Sequence, residues 1–306
     1  MPKPVRRSAW RLGALCTLVA LSVAACSSSG PSGSTTSAAG PRLSPVGENS
    51  AAAAAVPAAA RAKGTLVVGT SADYAPIEFV AADGHTITGM DADLAAAIGQ
   101  VLNLKVTMVN ATFDALIPGL SAHRYDIVMS GMNDIKDREK VVDFVDYFSA
   151  GTSFFERSSG GPAIQTLADL CGHSVAVESG TSEESDADAQ SKKCTAAGKK
   201  PVDVLVFQDQ NAANLALSSS RADVAMADSP VVGYAVAQSH GKFRTVGQTY
   251  GTVPDGIALP KGSGLAPALQ QALTILIANG TYHRILSKWG TTAGATSAPK
   301  LDGAIN

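Results

Sequence analysis

From Thr65 onward, short runs of apolar and β-branched residues alternate with stretches in which apolar positions recur every three or four residues, as in strands and helices laid end to end. Leu66-Val67-Val68-Gly69 predicts a first strand, and Asp91 opens a helix with Leu94, Ile98, Val101 and Leu102 on one face. Asp83-Gly84 between them is a turn signal. A second strand is predicted over 105–109, a short helix over 113–122 with Pro118 near its first turn, and a third strand over 126–130. Another helix starts at Asp134. The pattern then restarts, with strands at 174–177, 202–207 and 224–227 and a helix over 209–219. A last strand at 256–259 precedes two helices. The first carries Leu269, Leu273, Leu276 and Ile277 and stops at Asn279-Gly280, and the second buries Tyr282, Ile285, Leu286 and Trp289. A chain that builds one α/β lobe, crosses to another and returns needs two hinge strands, for which 147–155 and 250–254 are the candidates. Lobe 1 is then 61–150 plus 254–291, lobe 2 is 151–253, and 292–306 is a loose tail.

The first sixty residues follow a different pattern. Lys3, Arg6, Arg7 and Arg11 precede an apolar run from Leu12 to Ala25. That run, about 14 residues, is short of the ~20 needed to span a bilayer and suits a signal peptide over 1–25. Its end, Val23-Ala24-Ala25-Cys26, resembles a bacterial lipobox, in which cleavage leaves Cys26 to carry lipid. Arg6-Arg7 leaves the Sec and Tat export routes both open. Residues 26–60 are mostly Ser, Gly, Ala and Pro, too poor in large side chains to offset their ordering entropy, and are expected to form a flexible lipid-anchored tether. The expected location is extracytoplasmic, at the cell membrane through the lipid.

Removing the four cations of the signal takes the formal charge from −2 to about −6, which disfavours a nucleic-acid partner. Cys16 leaves with the signal and Cys26 takes lipid, so Cys171 and Cys194 remain as an even pair in an oxidising compartment. A disulfide is the first reading; zinc is the rival, but no histidine stands at ligand spacing around either cysteine. His85, His123, His173, His240 and His283 are scattered, and the chain carries no phosphate loop, so no metal site and no cofactor is expected.

Six stretches, in this order, carry a resemblance: Val68-Gly69-Thr70-Ser71-Ala72-Asp73-Tyr74-Ala75-Pro76; Gly89-Met90-Asp91-Ala92-Asp93-Leu94; Phe113 through Leu120; Tyr125-Asp126 through Gly131 with Arg138; Ser220-Arg221-Ala222-Asp223 with Asp228-Ser229-Pro230; and Asn279-Gly280-Thr281-Tyr282 through Gly290. Each is weak alone, but in this order the chain resembles the family 3 extracellular solute-binding proteins, the polar amino-acid receptors of ABC importers. The resemblance implies a two-lobe periplasmic-binding-protein-like (type II) α/β fold, a monomer that takes a free amino acid and docks on an ABC permease.

A free amino acid presents a carboxylate and an ammonium, so its receptor needs a cation and an anion. Arg138 offers a bidentate fork for the carboxylate, although it also fits a surface charge in Lys136-Asp137-Arg138-Glu139-Lys140. Ser130, Gly131 and Asn133 lie beside it; relatives often have Thr at the Asn133 position. Asp228 ends an apolar strand, where open α/β sheets place ligands, and is a candidate for the ammonium or simply a helix cap. Gly180-Thr181-Ser182 follows a strand and should open a helix whose free N–H groups suit a carboxylate. The resemblance implies ligand contacts for Tyr74 and Phe113, for Arg138 and Asp228, and for Thr181 and Ser182. Basic-amino-acid receptors often carry Asp where Ser71 stands, which argues mildly against a basic ligand, with Glu78 close enough to substitute. Asp91 and Asp93 read as helix-cap and first-turn acids. The chain shows no catalytic constellation. The alternatives are an enzyme of the cyclohexadienyl dehydratase type on the same fold, for which Glu183 is the one nearby general acid, or an amino-acid sensor.

Overall fold

The computed structural model describes residues 46–305; the expected signal peptide, Cys26 and the start of the expected tether lie outside them. Two helices come first, α1 (Ser50–Ala55) and α2 (Ala58–Lys63). β1 (Thr65–Thr70) leads into three short strands, β2 (Asp73–Tyr74), β3 (Glu78–Val80) and β4 (Ile87–Thr88), which form a sheet of their own. Then come α3 (Met90–Leu102), β5 (Lys105–Asn110), α4 (Leu116–Ser121), β6 (Ile127–Val128), α5 (Lys136–Glu139) and the long β7 (Val142–Arg157). The next segment holds β8 (Ser174–Glu178), α6 (Ser182–Ala196), β9 (Asp203–Phe207), α7 (Gln210–Ser218), β10 (Val224–Asp228) and α8 (Ser229–Gln238). A second long strand, β11 (Phe243–Pro260), brings the chain back to α9 (Ala266–Ala278) and α10 (Thr281–Trp289).

Eight strands form one sheet in the order β5-β1-β6-β11-β7-β10-β8-β9. β5, β1 and β6 run parallel on one side, and β9, β8 and β10 run parallel on the other. Between the two triplets lie only β7 and β11, antiparallel to each other. Both predicted hinge segments fall inside these two strands, and the register of the pair shifts at three points between Val246 and Gly256. The helices form as their apolar stripes require: Leu94, Ile98, Val101 and Leu102 of α3 are all buried, as are Leu269, Leu273 and Leu276 of α9. Trp289 is only half-buried, because its Nε1 donates to Asp93 Oδ2 (2.7 Å) at the surface.

Two expectations need correction. Residues 46–60 are not tether. Asn49 caps α1 by accepting from the Ala51 and Ala52 amides (3.1 Å each), and Ala52 and Val56 are buried where α1 packs on α3 and α9. An alanine run has the best helix propensity of any residue, and a groove already formed by two larger helices suits small side chains. The tail after 291 is not loose either. Asp302 exchanges backbone and side-chain hydrogen bonds with Phe144, the Asp146 amide donates to the Lys300 carbonyl (2.8 Å), and Leu301 pairs with Val145. These bonds use the backbone, so apolar periodicity gives no warning of them.

Cys171 and Cys194 form a disulfide, with Cα atoms 5.6 Å apart, tying the turn before β8 to α6. Cys194 lies in a small apolar core with Val175 and Val177 of β8, Met226 of β10, Leu170 before β8 and Phe154 of the neighbouring β7. Closing a loop of this length removes denatured-state freedom worth roughly 3 kcal/mol. Cys194→Ser should therefore lower the stability of the exported protein by about that amount, measured by urea denaturation with and without reductant. A variant as stable as the oxidised parent would show that the bridge adds nothing.

Candidate functional site

The strand ends of both triplets meet at one pocket, lined by Ser71, Tyr74, Glu78, Phe113, Gly131, Asn133, Arg138, Glu178, Thr181, Ser182, Glu183 and Asp228. Carboxyl ends of strands on the two sides of a switch in strand order are where an open α/β sheet leaves a crevice. β1 delivers Ser71 and the turn to Tyr74, and β6 delivers Ser130 to Asn133. From the other side, β8 delivers Glu178 to Ser182, and β10 delivers Asp228. Eight of the nine residues singled out in the sequence as ligand contacts line this space. The ninth, Ser130, stands one layer behind: its hydroxyl accepts from the Ser71 amide (2.9 Å) and donates to Glu78 Oε1 (3.0 Å).

The two sides touch. The Tyr74 hydroxyl donates to Asp228 Oδ2 (3.3 Å) and accepts from the Asp228 amide (2.9 Å). Arg138 Nη2 donates to the Gly180 carbonyl (3.0 Å), Nη1 donates to the Asn133 carbonyl (2.9 Å), and the guanidinium lies over the Phe113 ring at 5.3 Å. Ser182 Oγ donates to Asn133 Oδ1 (2.8 Å), and Asn133 Nδ2 donates to Asp255 Oδ1 (2.7 Å). So closely do these groups meet that the volume open to a water centre is about 10 Å³, room for a single water. Outside it, a groove of about 620 Å³ runs between the halves past Arg138, Asp186 and Tyr250.

Thr181 is less available than its position suggested. Its hydroxyl donates to the Glu178 carbonyl (2.8 Å) and caps α6 by accepting from the Glu184 amide (3.2 Å). Gly131 has φ +49°, a left-handed conformation that glycine takes without strain, and its amide donates to Asp91 Oδ2 (3.1 Å). Asp91 is therefore more than a first-turn acid: it also accepts from the Tyr147 hydroxyl (2.7 Å) of β7.

The pocket holds one guanidinium and many acids. Glu78, Glu178, Glu183, Asp228 and Asp255 are all buried. Burial, with Asp73 and Glu183 adding repulsion, pushes Glu178 up to about 9. Burial, then Glu183 and Asp255, holds Asp228 well above its ordinary value; burial, then Asp91, does the same to Glu78. Glu183 is raised too, chiefly by burial, although the Thr152 hydroxyl donates to its Oε1 at 2.7 Å. Burial pulls Arg138 down from its ordinary value, against the attraction of Glu183 and Asp228, and an arginine remains a cation under such a shift. The sequence offered a signal for Glu178 that was not used: like Asp228, it is a lone acid closing an apolar strand. Asp255 gave none, since it sits inside a strand. Among the described residues, no cluster of three or more histidine, cysteine or acidic side chains is placed to hold a metal ion.

Residues 66–292 match the bacterial extracellular solute-binding proteins, family 3. The chain is 35% identical over 242 residues to the arginine-binding protein ArgT of Corynebacterium glutamicum, with 79% of each chain covered. An ancestral arginine-binding protein bound to arginine matches with a TM-score of 0.68 and 35% identity, over 74% of this chain and 98% of that one. The ancestral amino acid-binding protein AncCDT-1, a precursor of cyclohexadienyl dehydratase, matches with a TM-score of 0.68 and 34% identity, over 75% and 96%. The chain belongs to the family 3 extracellular solute-binding proteins, and its α/β architecture is the periplasmic-binding-protein-like one. Among the described residues, no helix is long and apolar enough to cross a membrane.

An acid whose value is raised by folding binds its proton more tightly folded than unfolded. Its contribution to stability is therefore greatest below its ordinary value and declines until pH passes the folded value. For Glu178 that window runs from 4.5 to about 9, and for Asp134, buried beside Asp146, from 3.8 to about 8. The melting temperature of ligand-free protein should fall as pH rises from 5 to 9, and less steeply in Glu178→Gln. A melting temperature that rises over this range would contradict the burial of uncompensated acids.

Proposed function

We propose that this protein captures a free amino acid with a basic side chain and delivers it to an ABC permease. The convergence of Arg138 and Asp228 with the rings of Tyr74 and Phe113, from strand ends on both sides of the sheet, carries this reading. Arg138 takes the ligand carboxylate, helped by Asn133, Ser182 and the amides at the start of α6. Asp228 takes the ammonium, and in doing so exchanges the Tyr74 hydroxyl for a full positive charge. The aromatic rings cover the ligand's aliphatic part. The basic side chain is supported by the excess of acids over the single guanidinium and by relatives named for arginine, and it reverses the mild expectation drawn from Ser71.

An amino acid cannot enter a space that holds one water. The proposal therefore includes two lobes, 61–150 plus 254–291 and 151–253, that part and close about β7 and β11. Ligand contacts come from both lobes, so ligand favours the closed state and shifts the population toward it. No bond is made or broken. Glu183, the one candidate general acid, is held by Thr152, and the ligand should be recovered unchanged after incubation. The same reading makes the protein a monomeric lipoprotein held outside the cell membrane by Cys26.

Calorimetry against the common amino acids tests the function directly: a basic amino acid should bind, and Arg138→Ala should lose roughly 2–5 kcal/mol of that binding while keeping its circular dichroism. Undiminished affinity in the variant would sink the carboxylate assignment. For the anchor, Cys26→Ser should release the protein from the membrane fraction into the medium. Retention of the variant with the membranes would argue against lipid at that residue.

A further inference from the structure

Residues 293–305 lie beyond the stretch that matches the family, and they run back along β7. Ala295 pairs with Phe148 and Leu301 with Val145, both antiparallel. The Asp146 amide donates to the Lys300 carbonyl (2.8 Å), the Asp302 amide to the Phe144 carbonyl (3.0 Å), and the Phe144 amide to Asp302 Oδ1 (2.8 Å). β10 pairs with β7 only from Thr152 onward, so the tail occupies the edge that β10 leaves open. It ends on α5, where the Ala304 amide donates to Glu139 Oε1 (3.2 Å).

Beneath this tail lie two carboxyl groups that the mechanism does not use. Asp134 is completely buried and Asp146 is 4% exposed, and no donor among the described residues reaches any of their four oxygens. They face each other within hydrogen-bonding reach, with Glu139 beside Asp134. A Cβ on Gly303 would run into Asp146 Oδ2, so the tail backbone passes directly over the pair. Two ionised carboxylates without a donor repel each other in such a space, and one shared proton lets Asp134 donate to Asp146. Burial, then Asp146 and Glu139, raises Asp134 to about 8. Burial raises Asp146 to about 6; the hydrogen bond from Asp134 and the charge of Lys300 oppose that, while Asp302 and Glu139 add to it. The lysines of the neighbouring elements are engaged elsewhere, Lys136 with Glu139 (2.8 Å) and Lys261 with Asp143 (2.8 Å). Arg138 feels Asp134 only behind Glu183, Asp228 and Asp255.

We propose that residues 300–304 are a strap locked by one proton held between Asp134 and Asp146, and that the strap steadies the loop carrying Asn133 and Arg138. With the strap down, the pair is shut from water and keeps its proton. With the strap lifted, both carboxyls reach water and ionise at their ordinary values. Docking of the strap is therefore linked to uptake of one proton. It is firmest near pH 4, weakens as pH rises, and stops changing above about 8, where both states are ionised. The loop is reached by two routes. The Asp134 amide donates to the Pro254 carbonyl (2.8 Å), and the strap holds Glu139 beside Arg138 on α5. Acidity outside the cell then reaches the carboxylate end of the site through groups that touch no ligand. This last consequence rests on the amino-acid reading, and the strap itself does not.

Hydrogen exchange of the ligand-free protein, resolved by NMR and corrected for intrinsic rates at each pH, tests the lock. The amides of Phe144, Asp146 and Asp302 read the strap, and that of Asp134 reads the loop. Slow exchange at Leu273 and Leu276 of α9 shows that the fold stays intact. From pH 5 to 8, strap protection should fall by up to about tenfold per pH unit, the slope of one linked proton, and the loop amide should lose protection with it. Asp134→Asn keeps a donor to Asp146 but has no proton to lose, so its strap protection should be flat over this range and exceed the parent's at pH 8. Asp146→Asn, with its amide donating to an ionised Asp134, should flatten the profile in the same way and serves if the first variant does not fold. A flat profile in the wild-type protein overturns the lock, as does a slope that persists in the variants. A loop amide that keeps its protection while the strap loosens overturns the link to Asn133 and Arg138.

Discussion

The structure depends on the antiparallel pair β7–β11, because the two triplets of strands are joined through these two strands and the chain crosses between them only here. The pair is regular at both ends, from Phe243 against Arg157 and from Gly256 to Pro260 against Asp146 to Val142, and its register shifts at three points between Val246 and Gly256. At the irregular point the two backbones come very close. A Cβ on Gly151 would meet the Tyr250 carbonyl at 2.8 Å and Thr252 Oγ1 at 2.6 Å, so no other residue fits there without a shift. Slipped register leaves fewer ladder bonds to break when the strands twist, and a bulge increases local twist in any case. A rigid ladder at each end and a slack one in the middle is the geometry a two-lobe clamp needs.

That constraint decides where the chemistry can be. The site is made of strand ends from the two sides of the sheet, and the two sides contribute unlike groups. One brings Arg138, Tyr74 and Glu78; the other brings Asp228, Glu178 and Glu183. With the halves together, buried carboxyl groups outnumber the guanidinium, and their raised values express that imbalance as proton uptake. Two kinds of counter-charge can offset it, protons or a cationic ligand. Direct contacts such as Tyr74 to Asp228 satisfy hydrogen bonds across the gap, but a phenol brings no charge, so they do not remove the electrostatic cost.

Much of this was legible in the sequence, and the reasons differ by part. The strands of the large sheet announce themselves because parallel strands buried on both faces are continuous apolar runs, as Val224-Ala225-Met226-Ala227 shows. Asp228 was legible for the same reason, as a lone acid closing such a run. The three-stranded sheet was not, because strands of two or three residues have no period to detect. Residues 46–60 were misread because alanine counts for little in burial per residue yet is the best helix former, and α3 and α9 supply the rest of the packing. The tail was misread because its attachment runs through backbone groups. The acids Glu78 and Asp255 acquire their meaning only from neighbours far along the chain, Ser130 for the one and Asn133 for the other.

Asp91 joins the pocket to the crossing. It lies at the start of α3, accepts the Gly131 amide from the loop that leads to Asn133, and accepts the Tyr147 hydroxyl from β7 at the point where the register against Asp255 and Gly256 shifts. Burial, and then the charge of Asp91, pushes Glu78 upward. Tyr147 is held from its other side as well, its carbonyl accepting the Tyr282 hydroxyl of α10 at 2.7 Å. A change of charge at Glu78 therefore alters the field at a carboxylate that positions both the loop leading to Asn133 and strand β7. Because the acceptor is shared, loop and strand cannot move independently without losing one of two buried hydrogen bonds to a carboxylate, each worth about 1.5–3 kcal/mol. Such a connection is a physical route by which charge in the pocket reaches the central strand pair.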